Sequence, residues 1–157
     1  GKMKVTSFDP PWLTLARAEV GVHETPGPGS TARIIEYDAV TTLKAKDDAV
    51  PWCSSFICWV MERSGRVSTR RANARSWLSW GWHLPEPRLG CVVVLSRGDN
   101  PLQAHVGLFA GWSRLFVLGP RRLLILGGNQ GNRVSIAPYA ESRVIGYRWP
   151  YDPALPA

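Results

Sequence analysis

The chain lacks several features that would assign it to a familiar class of protein. Its three cysteines are an odd number, so at least one thiol is free and a fully paired disulfide framework is excluded. No segment resembles a signal peptide or a membrane span, since Arg121 and Arg122 split the apolar stretch RLFVLGPRRLLILGG into two strand-sized runs. No internal repeat or long linker divides the 157 residues. We therefore expect one domain over 1–157, with 1–8 and 151–157 as peripheral tails.

The composition is that of a globular protein with a basic surface. Hydrophobic residues make up 45% of the chain and charged residues 20%, which excludes a disordered or collagen-like protein. The net charge of +7 favours polyanionic partners such as nucleic acid, acidic lipid or anionic wall polymers. The basic residues are scattered, however, and a solvated arginine-rich surface explains them equally well. Eight tryptophans suggest large apolar surfaces, or a groove that holds a polymer.

Helical patterns occupy the first half of the chain and strand patterns the second. The four expected helices are DPPWLTLARAEVG capped by Asp9, TARIIEYDAVT capped by Ser30, the apolar run that ends at Gly65, and ARSWLSW capped by Asn73. The expected strands, about six, are CVVVLS, AHVGLFAG, RLFVL, RLLILGG, RVSIAPY and RVIGYRW. Because helices and strands do not alternate, we predict an α+β domain in which N-terminal helices pack on a C-terminal antiparallel sheet.

Cys53 is the strongest candidate for a catalytic side chain. Pro51 fixes the entry into the helical run PWCSSFICWVMERSG, so Cys53 falls at or near the first helical position. Unsatisfied backbone amides and the positive end of the helix dipole are expected to lower the pKa of a thiol there. Cys58 lies about 500° further around the helix, so we expect it to pack in the core. Cys91 opens an apolar strand, and the same role is expected for it.

A cysteine nucleophile needs a base, and His105 is the best placed of the three histidines. It begins the strand pattern HVGLFAG, whereas His23 lies in a loop rich in proline and glycine and His83 follows Trp82. A third residue would orient the imidazole and fix its tautomer. Asn129, with Gln130 beside it, follows the strand RLLILGG, although GGNQGN is also typical of a turn.

Cys53, His105 and Asn129, in that chain order, resemble the catalytic residues of papain-like cell-wall hydrolases. The resemblance is closest to the CHAP group (cysteine- and histidine-dependent amidohydrolases/peptidases), in its compact phage endolysin-type and bacterial members. The matching segments span most of 11–150 and are PWLTLARAEVGVHETPG, RIIEYDAVT, VPWCSSFICWVMERSG, ARSWLSWG, HVGLFAG, LGGNQGNRVSI and VIGYRWP. One position departs from the family pattern: the first strand is commonly entered through Gly-Asp, whereas LGCVVV has Cys91 in place of the acid.

The resemblance implies a papain-like fold and a peptidoglycan hydrolase that cuts an amide bond without a metal or organic cofactor. Cys53 would attack the scissile carbonyl, His105 would transfer the proton, and Asn129 would orient His105. The candidate substrate-binding residues are Glu24, Trp52 and Gln130. The expected partner is bacterial peptidoglycan, with no nucleic acid and no membrane insertion. We expect a monomer, made in the cytoplasm without a signal peptide, that acts in the periplasm or outside the cell after release.

Several alternatives are open at this point. A zinc site could use Cys53, Cys58, Cys91 and His105, although the chain has no C-x-x-C pair and no H-E-x-x-H motif. A non-catalytic basic module could bind wall polymer or nucleic acid, although no nucleic-acid-binding signature is present. An antibacterial effector would use the same cysteine chemistry and have an immunity protein as its partner. Glu24 could meet a substrate amine or brace its loop, and Trp52 could line a cleft or pack in the core.

Overall fold

The helices come first in the chain and the strands second. The computed structural model describes residues 8–26, 31–43, 51–113 and 119–151. The helices in these residues are α1 (Pro11–Ala18), α2 (Ala32–Asp38), α3 (Cys53–Arg63) and two 3-10 helices at Ala74–Ser79 and Glu141–Arg143. The strands are β1 (Trp82–Leu84), β2 (Val92–Ser96), β3 (Ala104–Ser113), β4 (Arg122–Gly127), β5 (Ser135–Ala140) and β6 (Val144–Trp149). None of the helices in the described part of the chain has the length and apolarity needed to cross a membrane.

The strands form one antiparallel sheet, with the spatial order β1-β6-β2-β3-β4-β5. Its central strand β2 is buried from Val92 to Leu95, which explains why its sequence is continuously apolar instead of alternating. Contacts of α3 with β3 and β4 place the helical layer on this sheet. The prediction of N-terminal helices on an antiparallel sheet of about six strands is confirmed.

Individual elements differ from the sequence prediction in a few places. The short edge strand β1 was not expected, because three residues are too few to show an alternating pattern. The expected strand RLFVL lies outside the described residues. The fourth helix is a 3-10 helix instead of an α-helix, but Asn73 caps it as predicted, accepting a hydrogen bond from the backbone N–H of Ser76 at 3.1 Å.

Neither α1 nor α2 has a capping side chain among the described residues. The residue that precedes α1 is Pro10, which has no capping side chain, and Asp9 instead forms an ion pair with Arg17 at 2.7 Å. Helix α2 starts one residue after Thr31, whose side chain makes no capping hydrogen bond. The expected cap Ser30 lies outside the described residues. These helices therefore depend on packing of their apolar faces more than on their caps.

Most of the tryptophans build the core and do not line a groove. The buried ones are Trp12, Trp52, Trp59, Trp77 and Trp149, whereas Trp82 is 49% exposed. Between α2 and α3, the ring of Tyr37 packs edge-on against Phe56 and Trp59, with centroids 5.1 and 5.2 Å apart. Large aromatic rings thus join the helices to each other, and the polymer groove suggested by the tryptophan content is not formed by these five.

Several arginines cover aromatic rings at the edge of the core. The pairs are Arg33 and Arg63 over Trp59, Arg66 over Trp12, Arg88 over Trp149, Arg121 over Trp112 and Arg143 over Tyr139. A guanidinium placed over an aromatic face is attracted by the ring electrons and shields the ring from water. Part of the positive charge is therefore used within the fold and is not an indication of a polyanionic partner.

Gly128 lets α3 approach the end of β4 closely. A Cβ atom at this position would lie 2.8 Å from Cβ of Phe56 and 2.8 Å from two ring carbons of Trp52. Real side chains do not approach so closely, so a residue larger than glycine would push the helix away from the sheet. This contact fixes the start of α3, and with it Cys53, beside the loop that follows β4.

Candidate active site

Cys53 is the first residue of α3, as predicted, and its side chain is 4% exposed. The backbone N–H groups of Val106, Ser54 and Cys53 form hydrogen bonds that favour its thiolate. The last two belong to the start of the helix, where the first N–H groups have no partner within the helix. Because Val106 directly follows His105 on β3, the thiol lies against the strand that carries this histidine.

The net effect on the thiol differs from the sequence expectation. Burial raises the pKa of Cys53, and this effect outweighs the hydrogen bond from Val106 and the charge of Arg97, which lower it. The helix start was expected to lower the pKa of the thiol. However, the free energy needed to remove the thiolate from water is larger than the stabilisation that the local backbone dipoles provide. In the free protein, Cys53 is therefore a protonated thiol at neutral pH, and a role as nucleophile would require a base.

The side chain of Gln130 fixes the tautomer of His105. The Gln130 amide nitrogen donates to the backbone carbonyls of Ile125 and Ser135, at 3.1 and 2.8 Å. Its Oε1 therefore points to Nε2 of His105, 2.8 Å away, and can only accept a hydrogen bond there. Nε2 of the neutral imidazole must carry the proton, which leaves Nδ1 without one. His105 is thus held in the form that can receive a proton at Nδ1.

Gln130 makes the hydrogen bond that was expected of Asn129. Asn129 has φ of 57° and belongs to a turn in which Gly131 and Asn132 also have positive φ. Asparagine tolerates this left-handed conformation better than most residues, so Asn129 is a turn residue, as the GGNQGN pattern also indicated. Gln130 is only 7% exposed and its amide is fully engaged, so it faces His105 and not a cleft where substrate would bind.

Tyr139 on β5 belongs to the same cluster and was not identified from the sequence. Its ring stacks on His105 with centroids 5.5 Å apart and planes 22° from parallel. Its hydroxyl donates to Oε1 of Gln130 at 3.2 Å. The alternation of SIAPYA places Tyr139 on the same face of β5 as Ser135 and Ala137, but only the pairing of β4 with β5 shows which residues it meets.

The environment of His105 disfavours its charged form. Burial lowers the pKa of His105 to about 4, a shift that the Gln130 hydrogen bond opposes and that the charges of Arg97 and Arg143 reinforce. The imidazole is 3% exposed, so water stabilises an imidazolium poorly. Cys53 and His105 therefore rest as a neutral pair instead of a thiolate–imidazolium pair.

Glu24 and Trp52 contact each other beside the start of α3. Nε1 of Trp52 donates to Oε1 of Glu24 at 2.8 Å, and the backbone N–H of Glu24 donates to the carbonyl of Asn132 at 2.9 Å. Trp52 is fully buried, which agrees with core packing and not with a cleft wall. Glu24 braces its loop against α3 and against the loop after β4, and its carboxylate contacts Trp52, the residue before Cys53.

The other cysteines lie in the core, as predicted. Cys58 is fully buried, with its Sγ 3.7 Å from Oγ1 of Thr69. Cys91 is also fully buried, and burial raises the pKa of its thiol to about 12. His23 and His83 are exposed. Among the residues that the structure describes, no group of three or more His, Cys, Asp or Glu side chains is arranged to hold a metal ion.

Comparison with known proteins agrees with this architecture. No protein-family model and no curated protein matches the chain. Among solved structures, it is similar to a protein described as similar to a lipoprotein of the NLP/P60 family, from Staphylococcus aureus subsp. aureus Mu50, with a TM-score of 0.51 and 14% identity. The match covers 93% of this chain and 44% of that one, so the chain spans less than half of its neighbour. At this identity the comparison shows the fold alone: a papain-like α+β domain.

Proposed function

We propose that the protein is a cysteine-dependent peptidoglycan hydrolase of the CHAP type, which cleaves an amide bond of the bacterial cell wall. One observation carries the proposal: the buried thiol at the start of α3 is hydrogen-bonded by Val106, the residue that follows His105, and Gln130 fixes the tautomer of this histidine. Such an arrangement provides a nucleophile, a base and an orienting group. The papain-like fold and its NLP/P60 structural neighbour support this reaction class.

The reaction starts from the neutral pair. The Cys53 thiol transfers its proton to Nδ1 of His105 as Sγ attacks the carbonyl carbon of the scissile amide. Backbone N–H groups of Cys53 and Ser54, which already point at Sγ, lie where they can stabilise the oxyanion. The imidazolium then protonates the leaving amine, and a thioester remains. A water molecule, deprotonated by His105, cleaves the thioester and restores the thiol.

Gln130 and Tyr139 act on this chemistry through His105. When His105 becomes cationic, its hydrogen bond to Oε1 of Gln130 becomes charge-assisted and therefore stronger. Stacking on Tyr139 keeps the plane of the ring fixed during both proton transfers. Both residues are positioning groups, since they touch the imidazole and not the substrate. In this proposal Glu24 remains the candidate for contact with a substrate amine.

Turbidity loss of purified peptidoglycan sacculi tests the proposal. Cys53→Ala and His105→Ala are expected to abolish activity, whereas Cys58→Ala, which alters only a packed thiol, is the matched control. In the native protein, iodoacetamide should label Cys53 before Cys58 or Cys91, because the other two are completely buried. A folded Cys53→Ala protein with full lytic activity would contradict the nucleophile and favour a non-catalytic wall-binding module.

The proposal includes two possible scissile bonds, which give different products. An amidase releases the stem peptide from muramic acid, whereas an endopeptidase cleaves within the peptides, and mass spectrometry of the digested muropeptides distinguishes the two products. The biological setting we propose is phage-type lysis, with an antibacterial effector and its immunity protein as the alternative. Neighbouring holin-like genes would support the first setting, and neighbouring secretion or immunity genes the second.

A further inference from the structure

Two arginines lie at the edge of the candidate active site, and the reaction proposed above uses neither. Arg97 directly follows β2, in which Leu95 pairs with His105 of β3. Arg143 donates from Nε and Nη2 to the backbone carbonyl of Ser96, at 3.2 and 2.7 Å. Both arginines are therefore anchored at the same end of β2, next to the strand that carries His105.

Contacts and charge connect this pair of arginines with the catalytic groups. The Arg143 guanidinium lies over the ring of Tyr139, 5.1 Å from its centroid, and Tyr139 stacks on His105. Burial has the largest effect on the pKa values of Cys53, His105 and Tyr139, and the charge of Arg97 then lowers all three. A positive field thus reaches the thiol and the imidazole from one side of the site.

Neither arginine has an acidic partner within the described part of the chain. The ion pairs found there join Asp9, Glu19, Glu36, Glu62 and Glu141 to other arginines. Glu141, the acid closest in sequence to Arg143, pairs with Arg121 at 3.6 Å. Arg97 is exposed, and Arg143 uses two of its five N–H donors on Ser96. The site therefore presents cationic donors for which the described residues supply no anion.

We propose that Arg97 and Arg143 form a carboxylate-binding subsite, so that the preferred substrate is a peptide amide with a free carboxylate next to the bond that Cys53 attacks. The proposal rests on the hydrolase function proposed above. A guanidinium is a planar fork whose N–H groups match the two oxygens of a carboxylate. Arg97, which is exposed, supplies the main contact, and Arg143, fixed by Ser96 and Tyr139, supplies the second.

The test compares two synthetic N-acetylmuramoyl tetrapeptides that differ in one group, a stem carboxylate that is either free or converted to the carboxamide. Wild-type protein should hydrolyse the carboxylate form with a higher kcat/KM, by about 10- to 150-fold, the range for one hydrogen bond to a charged group. In Arg97→Gln this ratio should fall to about 1, because only the carboxylate form loses a contact with the guanidinium. Arg97→Lys keeps the charge without the fork and should retain part of the preference.

Arg63→Gln is the matched control. It removes the same charge at the other end of α3, about 15 Å along the helix from Cys53, and should leave the ratio unchanged. If Arg97→Gln slowed both peptides equally, or left the preference intact, the subsite would be refuted. An active enzyme without any carboxylate preference would refute it as well, while leaving the hydrolase function standing.

A binding measurement separates this proposal from the hydrolase function. Calorimetry on Cys53→Ala measures Kd for both peptides without turnover, and the double variant Cys53→Ala/Arg97→Gln should lose the preference for the carboxylate. Selective binding by Cys53→Ala, combined with no hydrolysis by wild type, would overturn the hydrolase function and support the subsite. Equal Kd values for the two peptides in Cys53→Ala would overturn the subsite. Thermal unfolding of each variant confirms that it is folded.

Discussion

Replacing Gln130 is the most direct test of how the site holds His105. Gln130→Ala removes the acceptor of Nε2, the two amide contacts with Ile125 and Ser135, and the acceptor of the Tyr139 hydroxyl. The imidazole is then free to adopt the other tautomer, in which Nδ1 carries the proton and cannot serve as the base. We therefore expect a loss of activity without any change in the nucleophile.

The expected size of the loss in kcat/KM follows from the cationic state of His105, which Gln130 stabilises. During both proton transfers His105 is cationic, and a hydrogen bond to a charged group contributes about 1.5–3 kcal/mol. This corresponds to a fall of roughly 10- to 150-fold in kcat/KM. Stability should fall as well, by about 1–3 kcal/mol, because the N–H of a buried imidazole loses its partner.

Asn129→Gly is the matched control, since glycine accepts the φ of 57° at this turn while the side chain is removed. Its activity should stay within about threefold of wild type in a muropeptide-release assay. Gln130→Glu supplies a readout that a purely structural role would not change: its carboxylate favours the imidazolium, so the acidic limb of the pH–rate profile should move to higher pH. An inactive Asn129→Gly protein beside an active Gln130→Ala protein would refute this assignment.

Two further predictions concern stability. The pKa of His105 is about 4 in the folded protein and near 6.5 in the unfolded chain. The neutral imidazole therefore makes its full contribution to the free energy of unfolding above pH 6.5, and this contribution is lost as pH falls towards 4. Chemical denaturation should show that His105→Gln loses less stability over this range than wild type, by about 3 kcal/mol, and identical pH dependences would contradict the buried neutral state. Gly128→Ala should lower stability by about 1–3 kcal/mol because its Cβ would meet Phe56 and Trp52 at 2.8 Å. Gly146→Ala is the control, since its Cβ would meet only the flexible end of Leu78 at 3.2 Å, and it should lower the stability measured by thermal unfolding less. Equal losses of stability in the two variants would show that the contact at Gly128 does not limit packing.

The layered architecture could be predicted from the sequence because local patterns carry it. Cys53 starts α3 because Pro51 stands two residues before it and an apolar helical run follows. The continuously apolar VVVL segment forms the buried central strand β2. Asn73 was recognised as a cap because its short side chain reaches only backbone N–H groups nearby in sequence. Each of these features depends on residues within a few positions of one another.

The identity of the orienting residue could not be predicted in this way. Asn129 and Gln130 are neighbours with the same amide group, and sequence alone does not show which side chain turns towards β3. The left-handed turn at Asn129 and the carbonyls of Ile125 and Ser135 decide the outcome in favour of Gln130. Tyr139 was missed for a related reason, since a strand tyrosine is common and its stacking on His105 depends on how the strands pair.

The sequence by itself determined the order of helices and strands and the α+β class, and it led to Cys53 and His105 as the candidate nucleophile and base. These follow from periodicity, turn residues and the few side chains capable of the chemistry. Only the tertiary structure decided the protonation states, because burial raises the pKa of Cys53 although the helix start favours its thiolate. It also decided which distant side chains meet His105. Desolvation and contacts between strands depend on the whole packed chain, and no local pattern of residues contains them.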